Sequence, residues 1–91
     1  MTQTGTVGVV GGGLMGAGIA QVAAQHGLKT ILRELDDALC ARTRGAIDRS
    51  LSKLIEKGKI APDAREKALA NLTFTTELGA LASCDIIVEA V

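Results

Sequence analysis

Thr6-Val7-Gly8-Val9-Val10-Gly11-Gly12-Gly13-Leu14-Met15-Gly16 decides how the rest of the chain reads. An apolar, β-branched run passes directly into Gly11-x-Gly13-x-x-Gly16, and Glu34 follows eighteen positions beyond Gly16, at the end of a second apolar run. Strand, glycine turn, helix and a second strand ending in a carboxylate together form the dinucleotide-binding fingerprint. Each part has a physical task. Gly11 permits the tight turn, and Gly13 lets backbone approach a pyrophosphate with no Cβ in the way. Gly16 lets the helix lie close on the sheet. The N–H groups at the helix start and the positive end of its dipole then suit phosphates.

Moving outward, Leu14 to His26 reads as the first helix, with Ile19, Val22 and Ala23 on one face and Gly27 as its stop. Leu28 to Leu32 is the second strand, followed by Arg33 and Glu34. Asp36 and Asp37 stand where an N-cap belongs, and a long helix runs to about Lys57 on the stripe Ile47, Leu51, Leu54, Ile55. Gly58 ends it, and Pro62 with Asp63 opens a further helix reaching about Leu72. Thr73 to Thr76 is a short third strand and Leu78 to Ala82 one helical turn. Asp85 to Val91 is a fourth strand with Ile86-Ile87-Val88 at its centre; it is read as buried around Glu89, yet as the last strand of the sheet it would leave Ile86, Ile87 and Val88 on an unpaired edge.

Right-handed crossovers place these strands in the order 3-2-1-4, part of a Rossmann-type doubly wound parallel α/β sheet. About forty residues separate strands two and three, where one helix, roughly a dozen or more residues, would suffice. Two helices, about 37–57 and 62–72, are therefore expected as an antiparallel pair projecting from the sheet. Lys53, Lys57 and Lys59 cluster near its turn, either as a solvated helix end or as a phosphate site.

Composition narrows the function classes. With 47% hydrophobic residues and Phe74 as the single aromatic, the core must be built from Ala, Val, Ile and Leu, which suits buried parallel strands. Ten basic and ten acidic residues cancel, so no global field points to nucleic acid or an anionic membrane. Cys40 and Cys84 lack metal spacing, and two free thiols fit a reducing cytoplasm. No apolar stretch reaches membrane-spanning length, and Met1-Thr2-Gln3-Thr4 has no signal-peptide character.

Gly8-Val9-Val10-Gly11-Gly12-Gly13-Leu14-Met15-Gly16-Ala17-Gly18-Ile19-Ala20-Gln21-Val22-Ala23 resembles the N-terminal segment of 3-hydroxyacyl-CoA dehydrogenases. Ser50-Leu51-x-Lys53-Leu54-x-Glu56-Lys57-Gly58-Lys59 and Asp85-Ile86-Ile87-Val88-Glu89-Ala90-Val91 extend the likeness. Members of this family oxidise L-3-hydroxyacyl-CoA to 3-ketoacyl-CoA with NAD, in fatty acid β-oxidation or related acyl-CoA metabolism.

The resemblance implies roles. Gly11, Gly12, Gly13, Leu14, Met15 and Gly16 would cradle the pyrophosphate, with Met15 against the cofactor. Glu34, where the family usually has Asp, would take the adenosine ribose hydroxyls and favour NAD over NADP. Arg33 beside it is of the residue type that accommodates a 2′-phosphate. Ala90 and Val91 would pass under the cofactor, and Ser50 and Lys57 would lie near the acyl-CoA. The family commonly dimerises, so a homo-oligomer is expected.

The family's histidine base, the glutamate that orients it, and nearby Ser and Asn lie downstream of the fourth strand. His26 instead suits the negative end of the first helix. Glu89 is expected to make local hydrogen bonds near the cofactor crevice, and Asp85 to begin the strand. Residues 1–91 are thus expected to be the front part of an NAD-binding domain, without the catalytic and dimerising helical domain and inactive alone. Two alternatives stand beside this: a non-catalytic nucleotide-binding or interaction module, and a dehydrogenase of another 3-hydroxy acid.

Overall fold

A computed structural model describes residues 5–11 and 13–90. Its elements run β1 (Thr6–Val10), α1 (Gly13–Gln25), β2 (Lys29–Arg33), α2 (Asp37–Glu56), α3 (Pro62–Ala70), β3 (Leu72–Thr75), a 3₁₀ turn (Leu78–Leu81) and β4 (Ile86–Glu89). The four strands form one parallel sheet in the order β3-β2-β1-β4, as expected. Register pairs Val9 with Leu32 and with Val88, and Leu32 with Phe74.

Moving from β1 through β2 to β3, successive right-handed crossovers must use the same sheet face. Accordingly Val9, Ala17, Ala20, Ala24, Leu32, Ile47, Leu51 and Ala68 form one core. The return from β3 to β4 must use the opposite face. There the 3₁₀ turn brings buried Leu81, with Cys84, against Gly8, where a Cβ would lie 3.0 Å from Leu81 and 3.1 Å from Cys84. Each fully enclosed Leu or Ile in this core is worth about 1.5–3 kcal/mol relative to exposure.

The buried face of α1 corrects the sequence reading. Gly16, Ala17, Ala20 and Ala24 are buried, whereas Ile19 and Ala23 are partly buried and Val22 is 56% exposed. Close packing of helix on sheet leaves room only for small side chains, so α1 turns its larger residues outward. Leu14, Met15, Ile19 and Val22 line an open apolar groove instead.

α2 begins where Asp36 caps it, its carboxylate accepting from the Leu39 N–H at 2.8 Å. Gly58 follows its end with φ +69°, a backbone state that suits glycine. Pro62 occupies the first turn of α3, and Asp63 pairs with Lys67 at 3.1 Å. α3 stops at Ala70 because the next residue is taken over by the sheet. The Asn71 side chain donates to the Ala24 carbonyl at 3.1 Å, and its own carbonyl accepts from the Thr30 N–H at 2.8 Å.

The helical pair does not stand clear of the sheet along its whole length. Ile47, Leu51 and Ala68 anchor it in the common core, while Glu56, Lys57, Gly58 and Lys59 at its far end are exposed. Asp48 joins α2 to α3 through a two-pronged bond with Arg65, at 2.5 and 3.0 Å. That bond holds the Asp48 carboxyl below its ordinary value.

β4 is an edge strand, as the order 3-2-1-4 leads one to expect, and only the reading of Glu89 as lying on a buried strand fails. Ile86 is 61% exposed and Ile87 50% exposed, because β4 has a strand partner only in β1 among the described residues. Asp85 does begin it: its N–H donates to the Thr6 carbonyl at 2.9 Å, and its carboxylate accepts from the Thr6 N–H at 2.8 Å.

Candidate cofactor site

The glycine turn leaves the carboxyl end of β1 beside the point where strand order reverses, the usual place for a ligand in such sheets. Gly11 has φ +60° and Gly13 φ +52°, so both occupy the left-handed region for which glycine is suited. The Gly11 N–H donates to the Arg33 carbonyl at 2.8 Å, fastening the turn to the end of β2. Gly12 lies outside the described residues.

The three glycines meet different constraints. A Cβ on Gly16 would fall 1.9 Å from the Gly11 carbonyl oxygen and 3.6 Å from Val9. Gly16 is therefore required chiefly by the turn's own backbone, and only secondarily by the sheet. A Cβ on Gly13 would meet nothing within 4 Å. That open space lies at the amino end of α1, where backbone N–H groups point outward and the first turn carries no acidic residue. These features fit a pyrophosphate. Leu14 and Met15, the next two residues of α1, are 87% and 67% exposed.

Glu34 stands just beyond β2, one residue from the carbonyl that receives Gly11. Its N–H donates to the Thr75 carbonyl at 2.9 Å, so its backbone is fixed by β3. Its side chain is buried, and one carboxylate oxygen accepts the Thr43 hydroxyl at 2.6 Å. Among the described residues no buried side-chain oxygen or nitrogen is without a partner. Among the described residues the other Glu34 oxygen has no hydrogen-bond donor, and it is not fully buried. A carboxylate with one uncommitted oxygen is the acceptor type that ribose hydroxyls use. Arg33, next in the chain, donates through its Nε to the Thr76 carbonyl at 3.1 Å.

Ala90, just past β4, is buried, and its N–H donates to the Val10 carbonyl at 3.2 Å. It therefore borders the same crevice from the other side of β1. Val91 lies outside the described residues. Ser50 and Lys57 do not join this group. Ser50 is on α2, partly buried, and Lys57, exposed, is the residue just past that helix's carboxyl end.

The remaining polar groups do not offer acid–base chemistry at the crevice. His26 lies just beyond the opposite end of α1, where its Nδ1 bonds the Val22 carbonyl at 2.8 Å. The thirteen-residue helix puts it about 20 Å from the glycine turn. Glu89, expected on a buried strand, is exposed. Burial pushes the Cys40 and Cys84 thiols up from their ordinary value, so neither is an activated nucleophile. No cluster of metal-ligating side chains occurs among the described residues.

Sequence reasoning missed Thr43. It extends the inner stripe of α2 by one turn, Thr43-Ile47-Leu51, all buried. A hydroxyl at the apolar stripe's end was the available signal.

The family model for 3-hydroxyacyl-CoA dehydrogenase, NAD binding domain, matches residues 6–91. A probable 3-hydroxybutyryl-CoA dehydrogenase of Deinococcus radiodurans is 48% identical over 84 residues, covering 92% of this chain and 30% of that protein. The crystal structure of (S)-3-hydroxybutyryl-CoA dehydrogenase from Ralstonia eutropha superimposes with TM-score 0.92 at 36% identity, over 98% of this chain and 31% of that one. That of FadB2 from M. tuberculosis gives TM-score 0.91 at 42% identity, over 93% of this chain and 30% of that one. The chain thus spans about 30% of the length of these relatives. With its glycine turn, acidic β2 terminus and strand order in place, the chain belongs to the 3-hydroxyacyl-CoA dehydrogenase family, as its NAD-binding domain.

Proposed function

We propose that this chain holds NAD for an enzyme that oxidises L-3-hydroxyacyl-CoA to 3-ketoacyl-CoA, in fatty acid β-oxidation or related acyl-CoA metabolism. The observation that carries the cofactor half is the Gly11–Arg33 bond, which sets the glycine turn and the Glu34 carboxylate side by side. Gly11 to Gly16 receive the pyrophosphate, with Met15 against the cofactor. Glu34 accepts from the adenosine ribose, and Ala90 and Val91 form the floor on the β4 side. NAD supplies the acceptor for the hydride that leaves C3 of the substrate. The substrate half rests on the family's relatives, which are hydroxybutyryl-CoA and hydroxyacyl-CoA dehydrogenases by name.

Ser50 and Lys57 take the acyl-CoA on the helical arm, Lys57 as a point charge for phosphate. In the native-length protein, Lys57→Ala should raise KM for the acyl-CoA while leaving NAD affinity unchanged. A KM equal to that of the parent would remove the lysine from the site. The proton-transfer groups belong elsewhere in the enzyme, since His26 is placed on the far end of α1. A verified 91-residue preparation should show no acetoacetyl-CoA reduction with NADH above background, and measurable turnover would contradict this division of labour.

The setting proposed is cytoplasmic, in keeping with two unpaired thiols, and the native protein a homo-oligomer. No helix among the described residues is long and apolar enough to cross a membrane. The exposed Ile86 and Ile87 edge should drive association of the isolated segment. Sedimentation showing a monomer at high concentration, with slow amide exchange in β4, would rule that out.

A further inference from the structure

We propose that Thr43 is a positioning residue that sets cofactor preference by holding the Glu34 carboxylate. The inference rests on the NAD-binding reading and adds a residue that the fingerprint does not contain. A glutamate has three side-chain torsions, and a free one would sample several staggered states. Here the side chain is 6% exposed and one oxygen takes the Thr43 hydroxyl at 2.6 Å, within the range of charge-assisted O–H···O bonds.

The mount is rigid. Thr43 is itself 6% exposed, β-branched, and fixed on α2, which Asp36 caps and Ile47 and Leu51 anchor in the core. With one oxygen engaged by Thr43, the second has no donor among the described residues and would be the acceptor for the ribose. A carboxylate held there receives a ribose 2′-hydroxyl and repels a 2′-phosphate, whereas a mobile one could withdraw from the phosphate.

Arg33 makes this arrangement necessary. It is the nearest cation in sequence able to receive a 2′-phosphate, and among the described residues only the Nε of its guanidinium is engaged, by Thr76. The terminal nitrogens remain available to an incoming anion if the carboxylate moves aside. Thr43 keeps the carboxylate where it answers that cation.

The test is titration of NAD and NADP into the native-length protein carrying Thr43→Val or Thr43→Ser, with thermal unfolding followed alongside. Valine keeps the shape and removes the hydroxyl; serine keeps the hydroxyl. The ratio of NAD to NADP affinity should fall by about tenfold or more in T43V, the scale of one hydrogen bond to a charged group, and stay within about twofold in T43S. An unchanged ratio in T43V, or an equal fall in T43S, would overturn the proposal. Should T43V not fold, Thr43→Cys, with a weak donor, replaces it: an intermediate ratio is expected, and the parental ratio would contradict. Failure of the parent itself to bind NAD would instead sink the proposed function, so the two failures are distinguishable.

Discussion

On the β2 side of β1, Leu32 and Leu51 are fully enclosed and Glu34 is locked between β3 and α2. On the β4 side, Ile86 and Ile87 stand half or more exposed although their sequence is the most β-branched in the chain. The Glu34 side of the candidate site is thus supported by a finished core, whereas the β4 flank offers a strand and little behind it. A glycine turn needs only the first to acquire its shape, because Gly11 is fastened to Arg33 and not to β4.

The sharpest way to break this contrast is to cut matched side chains on each flank. Leu51→Ala should cost about 2–5 kcal/mol in denaturant unfolding, since the site is enclosed and cannot collapse freely. Ile87→Ala should change stability by less than about 0.5 kcal/mol in the same measurement. Equal costs would mean that β4 is as well covered as β2.

Next in size is the turn itself. Gly16→Ala would drive a methyl into the Gly11 carbonyl, with no flexible side chain to yield. We expect a loss of about 1–3 kcal/mol in thermal stability, accompanied by loss of NAD binding. Retained binding would mean that the turn and α1 can separate without harm. Asp36→Ala removes one cap from α2 and should cost about 1 kcal/mol, read from Tm.

The smallest effect lies furthest from the crevice, at Asp48 and Arg65. The Arg65 bond lowers the Asp48 carboxyl, so its contribution is fully present above the unfolded value, near 3.8, and is lost as pH falls through the lower folded value. Asp48→Asn should therefore abolish only the part of acid destabilisation that lies at and below that pH. An identical acid melting profile in the variant would show that the pair contributes nothing, which its exposure makes the limiting case.

Much of this was legible in the chain because local signals and global topology agree. The run to Val10, the helix starts at Asp36 and Pro62 and the stops at Gly27 and Gly58 each have a one-residue physical cause. The strand order follows from crossover handedness. What was not legible depends on which face of an apolar element finds a partner. Val22 carries a stronger hydrophobic signal than Ala20, yet only Ala20 is enclosed. Thr43 escaped notice because a hydroxyl in an apolar stripe has a meaning only once Glu34 is seen opposite it.

The central claim is that the glycine turn and Glu34 together select NAD. Calorimetric titration of the native-length protein with NAD and with NADP tests it most directly. NAD should bind more tightly by at least about tenfold, or about 1.4 kcal/mol, and equal or tighter binding of NADP would contradict the account.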